Sequence, residues 1–373
     1  MLIKYIRKKF QWMITSEDEN PEIDKEGYKK FVEHGYDSEL GWIRKPNTEH
    51  SEFGKDGKTL YHINSKGIRV NPGHEKLPEV ISCYGDSFCF CRQVNDSETW
   101  EWYLSKLTKT NVLNLGVGNY GLDQTLLRLK REYPKNKTKI VIICVVPSTI
   151  VRILCVWKHY NEYGNIFGFK PRFEIENGKL KLIKNIIDNE KKIFELEKYL
   201  PEIQKHDYFY KTKFKKEIIE SPYFIHFLKN PRRNFTLTWL VLTGKKQRAM
   251  LKIMDINLEL RLKLYKEEYP VTLFKMIIKE YTEYAKKNKF KLVFMMLPQK
   301  DDVLFIKKNG NYYHELMEDI KKWVTVIDIT DYLISRKDLD TLYSDDNKYG
   351  GHPSKYGNEF IAEIIYKQLE GLL

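Results

Sequence analysis

The chain has 373 residues, 42% of them hydrophobic and 14% aromatic, which excludes a disordered or low-complexity protein and suits one large domain with an insertion, or two domains. No stretch approaches the ~20 apolar residues of a membrane-spanning helix, and Met1 to Ile14 lacks the apolar core and cleavage site of a secretory signal, so the expected location is the cytoplasm. The net charge of +13 allows non-specific attraction to polyanions, but lysines interleaved with glutamates, as between Lys191 and Lys215, read as solvated helix faces, and no specific nucleic-acid partner is expected.

In chain order, Gly27 to Asn71 is rich in Gly, Pro, Asn and Tyr and reads as an irregular, ordered lead-in, with residues 1–78 taken as one N-terminal segment. Five apolar runs follow at Val80 to Cys83, Val112 to Val117, Ile140 to Val146, Leu292 to Leu297 and Val324 to Ile329. Continuous runs of Val, Ile and Leu are how parallel strands read when helices cover both faces of a sheet. Between them the apolar spacing changes to three and four residues, predicting helices over Thr99 to Leu107, Leu122 to Tyr133 and Leu273 to Lys287. Strand alternating with helix gives an α/β architecture. The core domain is expected over 79–151 and 273–373, interrupted by a mainly helical insertion over 152–272. The last amphipathic helix runs from Glu359 to Leu369.

Five cysteines, an odd number, imply free thiols. Cys89-Phe-Cys91 has no matching second pair at zinc spacing, so no metal is expected, nor any other cofactor.

The chemistry-bearing residues fall where strands end. Gly85-Asp-Ser87 follows the first run, Asn119 follows the second, and His352 sits in Gly351-His-Pro-Ser354 before the last helix. Ligand sites of open parallel sheets lie outside the carboxyl ends of the strands, so these segments can converge on one crevice. A serine hydroxyl needs a base within hydrogen-bond reach, which a histidine there would supply. Backbone N–H groups near Ser87 and Asn119 are natural donors to an oxyanion. Taken alone, Ser87 reads as a helix cap and His352 as a turn residue; the pair favours catalysis. Gly116-Val-Gly118-Asn-Tyr-Gly121 is formally a dinucleotide fingerprint, but the next strand ends Val145-Val-Pro-Ser148 without the acidic residue that binds ribose, so the glycines read as packing and turn positions.

Together these residues resemble the SGNH (GDSL-type) hydrolases. The resemblance rests on Gly41-Trp-Ile-Arg-Lys-Pro-Asn47, Asn64-Ser-Lys-Gly-Ile-Arg69, Gly85-Asp-Ser-Phe88, the block from Asn114 to Gln124, and Gly351-His-Pro-Ser-Lys-Tyr-Gly-Asn358. It implies a flavodoxin-like three-layer α/β/α sandwich around about five parallel strands. It also implies an esterase or acyltransferase, with Ser87 as nucleophile, His352 as base, and an oxyanion or substrate-binding turn that includes Gly118 and Asn119. Three departures stand out. Asn119 occupies a position that is usually Gly. The third block offers Ser148 or Thr149 in place of its usual Asn. The Asp usually found three residues before the His is Tyr349, so the triad acid is expected from Asp345 or Asp346, with Asp346 preferred, or its place is taken by a backbone carbonyl.

The expected substrate is a small-molecule or glycan ester, an acetyl ester being favoured. Lys170-Pro-Arg-Phe173 and the cluster of Trp157, His159 and Tyr160 are candidate residues of a cover over the crevice. A catalytically degraded glycan- or partner-binding relative, and a basic polyanion-binding protein, are the alternatives.

Overall fold

The computed structural model describes residues 14–220, 222–244, 246–344 and 351–372. The chain divides into two compact units: Met1–Trp42, Leu154–Arg172 and Leu182–Leu260 form one, and Ile43–Ile153, Phe173–Lys181 and Arg261–Leu373 form the other.

The second unit is built on five parallel strands, β1 (Glu79–Gly85), β2 (Asn111–Asn114), β3 (Ile140–Val145), β4 (Lys291–Met296) and β5 (Thr325–Asp328). Their spatial order is 2-1-3-4-5, the order of the flavodoxin-like doubly wound fold, whose direction of winding reverses between β1 and β3. Every residue of β2 and β3 is buried, which explains why they read as unbroken apolar runs rather than alternating ones. The second run was expected to continue to Val117. The strand ends at Asn114, although the Leu115 and Val117 amides still donate to the Cys83 and Gly85 carbonyls at 2.8 and 3.0 Å.

Six helices bear on the site: α1 (Ser87–Phe90), α2 (Trp100–Thr108), α3 (Leu122–Glu132), α4 (Thr149–Arg152), α5 (Glu268–Asn288) and α6 (Lys355–Leu369). Alternate strand side chains point to opposite faces. Ile81, Cys83, Ile142, Cys144, Val293 and Met295 pack with Trp100 and Leu104 of α2 and Ile361 and Ile365 of α6 in one core. On the other face Phe294 meets Phe274 of α5 edge to face, with centroids 6.0 Å apart. This is a three-layer α/β/α sandwich. All five cysteines are buried free thiols.

An antiparallel hairpin of Thr48–Gly54 and Gly57–Ile63 belongs to the same unit. Gly54 is required where it stands: a Cβ there would lie 2.0 Å from the Gln93 carbonyl oxygen.

In the first unit, Trp157, His159 and Tyr160 are buried, and Trp157 stacks on Phe169 at 4.9 Å. Asp207 ties the segment together by accepting from the Val156 and Trp157 amides at 2.7 and 2.9 Å. These rings are core rather than a platform presented to ligand. The segment expected to be mainly helical also contains a two-stranded sheet of Arg172–Glu176 and Lys179–Ile183. No described helix is long and apolar enough to cross a membrane.

Candidate active site

β1 ends in Gly85 because nothing larger fits: a Cβ would sit 1.8 Å from the Cys144 carbonyl oxygen of β3. The close approach turns the chain at once into α1. Asp86 caps that helix, its Oδ1 accepting from the Phe88 amide at 2.9 Å. Its Oδ2 accepts from Arg152 Nη1 at 2.7 Å and from the Val146 amide at 3.2 Å. Asp86 is wholly buried. Its charge is therefore matched by a guanidinium and two amides, the condition under which a buried carboxylate is tolerated. Ser87 is fixed between these contacts as the first residue of α1.

His352 arrives from the segment before α6, whose N-cap Ser354 accepts from the Gly357 amide at 3.2 Å. Its Nε2 lies 2.8 Å from Ser87 Oγ, and its Nδ1 lies 3.1 Å from Gln93 Oε1. The Gln93 amide is itself oriented. Its Nε2 donates to the Phe53 carbonyl at 3.0 Å, which leaves Oε1 facing the imidazole. An acceptor on that side places the proton on Nδ1 and leaves the Nε2 lone pair for the serine hydroxyl. The Phe88 ring lies against the imidazole at 4.8 Å.

His352 is 3% exposed. Burial, reinforced by the Arg92 and Arg152 cations, holds its pKa well below the ordinary 6.5. The ring is therefore neutral at physiological pH, the state a general base requires. Arg92 is clamped by Glu52, with Nη2 and Nε at 2.7 and 3.0 Å from Oε1.

Arg44 adds a third cation on the side of Gly118. Its Nη1 donates to the Tyr61 hydroxyl at 2.6 Å, and its guanidinium lies over Phe90 at 4.8 Å. No carboxylate forms an ion pair with it among the described residues. A Cβ built on Gly118 would be 3.9 Å from both Arg44 Nη2 and Ser87 Cβ, so this glycine keeps open the space beside the serine.

The expected residues divide as follows. Ser87 and His352 meet, and Gly118 borders Ser87. Asn119 follows in the left-handed region, with φ of 67°, and its side chain is exposed rather than joined to the Ser87 and His352 pair. Ser148 Oγ is buried without a hydrogen-bond partner among the described residues. Thr149 Oγ1 is committed to the Leu122 amide at 3.1 Å. Asp345 and Asp346 lie outside the described residues, and the side chain found at Nδ1 is Gln93. Gln93, Arg92, Arg152 and Arg44 were not foreseen. The Gly116 to Gly121 fingerprint is explained by packing: Cβ atoms at Gly116 and Gly121 would lie 2.3 Å from the Phe90 amide nitrogen and 2.6 Å from Asp123 Oδ1.

The sequence matches no protein-family model and no curated protein. Among solved structures the chain is similar to a putative lipolytic protein of the G-D-S-L family from Desulfitobacterium hafniense (14% identity, 78% of this chain and 98% of that one, TM-score 0.36). It is also similar to an acetyl xylan esterase (8%, 79% and 99%, TM-score 0.39) and to a lipase/acylhydrolase from Enterococcus faecalis (10%, 79% and 96%, TM-score 0.38).

Proposed function

We propose that this chain is a serine hydrolase or acyltransferase of the SGNH type that forms an acyl-enzyme on Ser87. The observation that carries the reading is the relay from Ser87 Oγ to His352 Nε2 at 2.8 Å and from His352 Nδ1 to Gln93 Oε1 at 3.1 Å.

In the first half-reaction Ser87 Oγ bonds to the ester carbonyl carbon while its proton moves to His352 Nε2, and the carbonyl π-electrons pass to oxygen. Collapse of the tetrahedral adduct breaks the bond to the alcohol, which leaves with the proton from Nε2. In the second half-reaction water, or an acceptor hydroxyl, gives its proton to Nε2 and attacks the acyl carbon; collapse of that adduct breaks the bond to Ser87 Oγ, which takes the proton back from Nε2. Gln93 accepts from Nδ1–H throughout and holds the ring in the productive tautomer. The N–H groups at the start of α1 and in the Gly118 turn would face the developing oxyanion, and the Arg44 cation makes the potential there more positive. Ser148 Oγ is a further candidate donor.

An acetyl ester of a carbohydrate is the substrate proposed from the motif resemblance. The neutral amide of Gln93, the side chain found at His352 Nδ1 among the described residues, favours a second reading, a slow enzyme or an acyl- or glycan-binding relative. Hydrolysis of p-nitrophenyl acetate and of acetylated xylooligosaccharides, compared between wild type and Ser87→Ala, tests both. Serine-dependent turnover supports the enzyme. Equal background rates with retained glycan binding support the relative.

A further inference from the structure

Among the described residues, seventeen large hydrophobic side chains are exposed, and seven of them fall between Tyr223 and Leu242. Isolated exposed apolar residues are ordinary, but a cluster marks a surface that meets something. These lie on two consecutive helices, Tyr223–Lys229 and Pro231–Leu242. On the second, Phe235, Trp239 and Leu242 recur at four- and three-residue spacing, one stripe of a helix, and are 56%, 66% and 56% exposed. On the first, Phe224, Ile225 and Leu228 are exposed in the same way.

The opposite side of the pair explains why this stripe is left outward. Leu237 and Asn234 are buried, Asn234 Nδ2 donates to the Phe227 carbonyl at 2.8 Å, and Phe227 packs edge to face with Phe235 at 5.0 Å. Arg233 pairs with Glu217 at 3.4 Å. The pair of helices is thus held by Asn234, Leu237 and the Phe227–Phe235 ring contact, while Phe224, Ile225, Leu228, Trp239 and Leu242 remain exposed.

Charge identifies what covers the stripe. From Ser221 to Met254 the sequence contains no Asp or Glu, while Lys229, Arg232, Arg233, Lys245, Lys246, Arg248 and Lys252 are all cationic. Lys229 and Arg232, at the junction of the two helices, are exposed. Exposed aromatic and aliphatic side chains beside the exposed cations Lys229 and Arg232, in a stretch without acidic residues, match the boundary of an anionic bilayer, where rings and alkyl groups enter the interface and ammonium and guanidinium groups meet lipid phosphates. A purely polyanionic partner would leave the apolar stripe uncovered, and an apolar protein partner would leave Lys229 and Arg232 unused.

We propose that the Tyr223–Leu242 helix pair docks this protein onto a membrane surface rich in anionic phospholipid. The helices lie on the surface rather than span it. The attachment is independent of the reaction at Ser87.

The test is flotation of the full chain with vesicles of phosphatidylglycerol and phosphatidylcholine, against pure phosphatidylcholine. Binding is expected to the anionic vesicles, to weaken as salt is raised, and to fall about tenfold or more in Phe224→Ser and in Trp239→Ser, as loss of a buried aromatic side chain implies. Leu304→Ser, which removes an exposed apolar side chain elsewhere, is the control and should bind as wild type, with circular dichroism confirming that all variants fold. No binding to anionic vesicles at low salt overturns the proposal, as does binding unchanged in both patch variants. Equal binding to neutral vesicles overturns the role given to the cations. Self-association abolished by the same two substitutions, without vesicle binding, assigns the stripe to a second copy instead.

Discussion

Gln93 Oε1 lies 3.1 Å from His352 Nδ1, so among the described residues the side chain that meets the imidazole on that side is a neutral amide, its direction fixed by the Phe53 carbonyl. A neutral acceptor sets the tautomer but gives an imidazolium less stabilisation than a carboxylate would. Gln93→Leu removes the acceptor without adding charge. It is expected to lower kcat by about two to four orders of magnitude with little change in KM, measured on a chromogenic ester.

The same geometry sets a pH profile. Because burial and two nearby cations hold His352 well below 6.5, the base remains unprotonated through the neutral range, and kcat/KM should fall only on the acid side of 6.5. Gln93→Glu places a carboxylate against Nδ1, which favours the imidazolium and raises its pKa. The acid limb of kcat/KM should then move to higher pH. A limb unmoved by this substitution would mean that position 93 does not communicate with the base.

Arg44 presents its cation beside Gly118 and the serine. Arg44→Met retains the stem packed on Phe90 and deletes the charge. It should lower kcat about tenfold or more while KM changes little, since the charge acts where the oxyanion develops. A loss confined to KM would instead assign Arg44 to substrate binding.

Asp86 is buried and paired with Arg152 at 2.7 Å. Asp86→Asn leaves the guanidinium without its counter-charge, and breaking a buried pair on one side costs about 3–5 kcal/mol. Urea denaturation should show a loss of that order with an unchanged slope.

Glu101, on α2, is wholly enclosed, and burial pushes its carboxyl up from 4.5 to about 8, with Cys91 Sγ 3.2 Å from Oε2. A carboxyl whose folded pKa is raised contributes stability that is fully present below its unfolded value, near 4.5. That contribution is lost as pH rises towards 8, because the unfolded chain releases the proton more readily. Glu101→Gln should flatten this part of the stability curve, making the variant more stable relative to wild type at pH 8 by roughly a few kcal/mol. Thermal melts across pH 5 to 8, about the span of the two pKa values, check the sign.

The sheet was legible because its strands are buried on both faces and so appear as apolar runs. Ser87 and His352 were legible because a Gly-Asp-Ser turn after a strand and a His before a terminal helix fall where such folds build sites. Gln93 left no comparable signal. It reaches His352 from a turn in which Cys91 and Gln93 both take left-handed φ, 56° and 68°, a conformation usually announced by Gly or Asn and here adopted by neither. Its contact with His352 Nδ1 spans 259 positions, a distance in sequence that no local pattern announces. Arg152 was equally hidden, because its partnership with Asp86 depends on how β3 returns beside β1.

The most direct test is intact-mass measurement after incubation with a fluorophosphonate, on wild type, Ser87→Ala and His352→Ala. Wild type should gain one phosphonyl adduct, mapped by peptide sequencing to Ser87, with none on Ser87→Ala and labelling of His352→Ala slowed by at least about a thousandfold. Labelling of wild type and Ser87→Ala to the same extent, or a rate unaffected by loss of the imidazole, would contradict a nucleophile at Ser87 activated by His352.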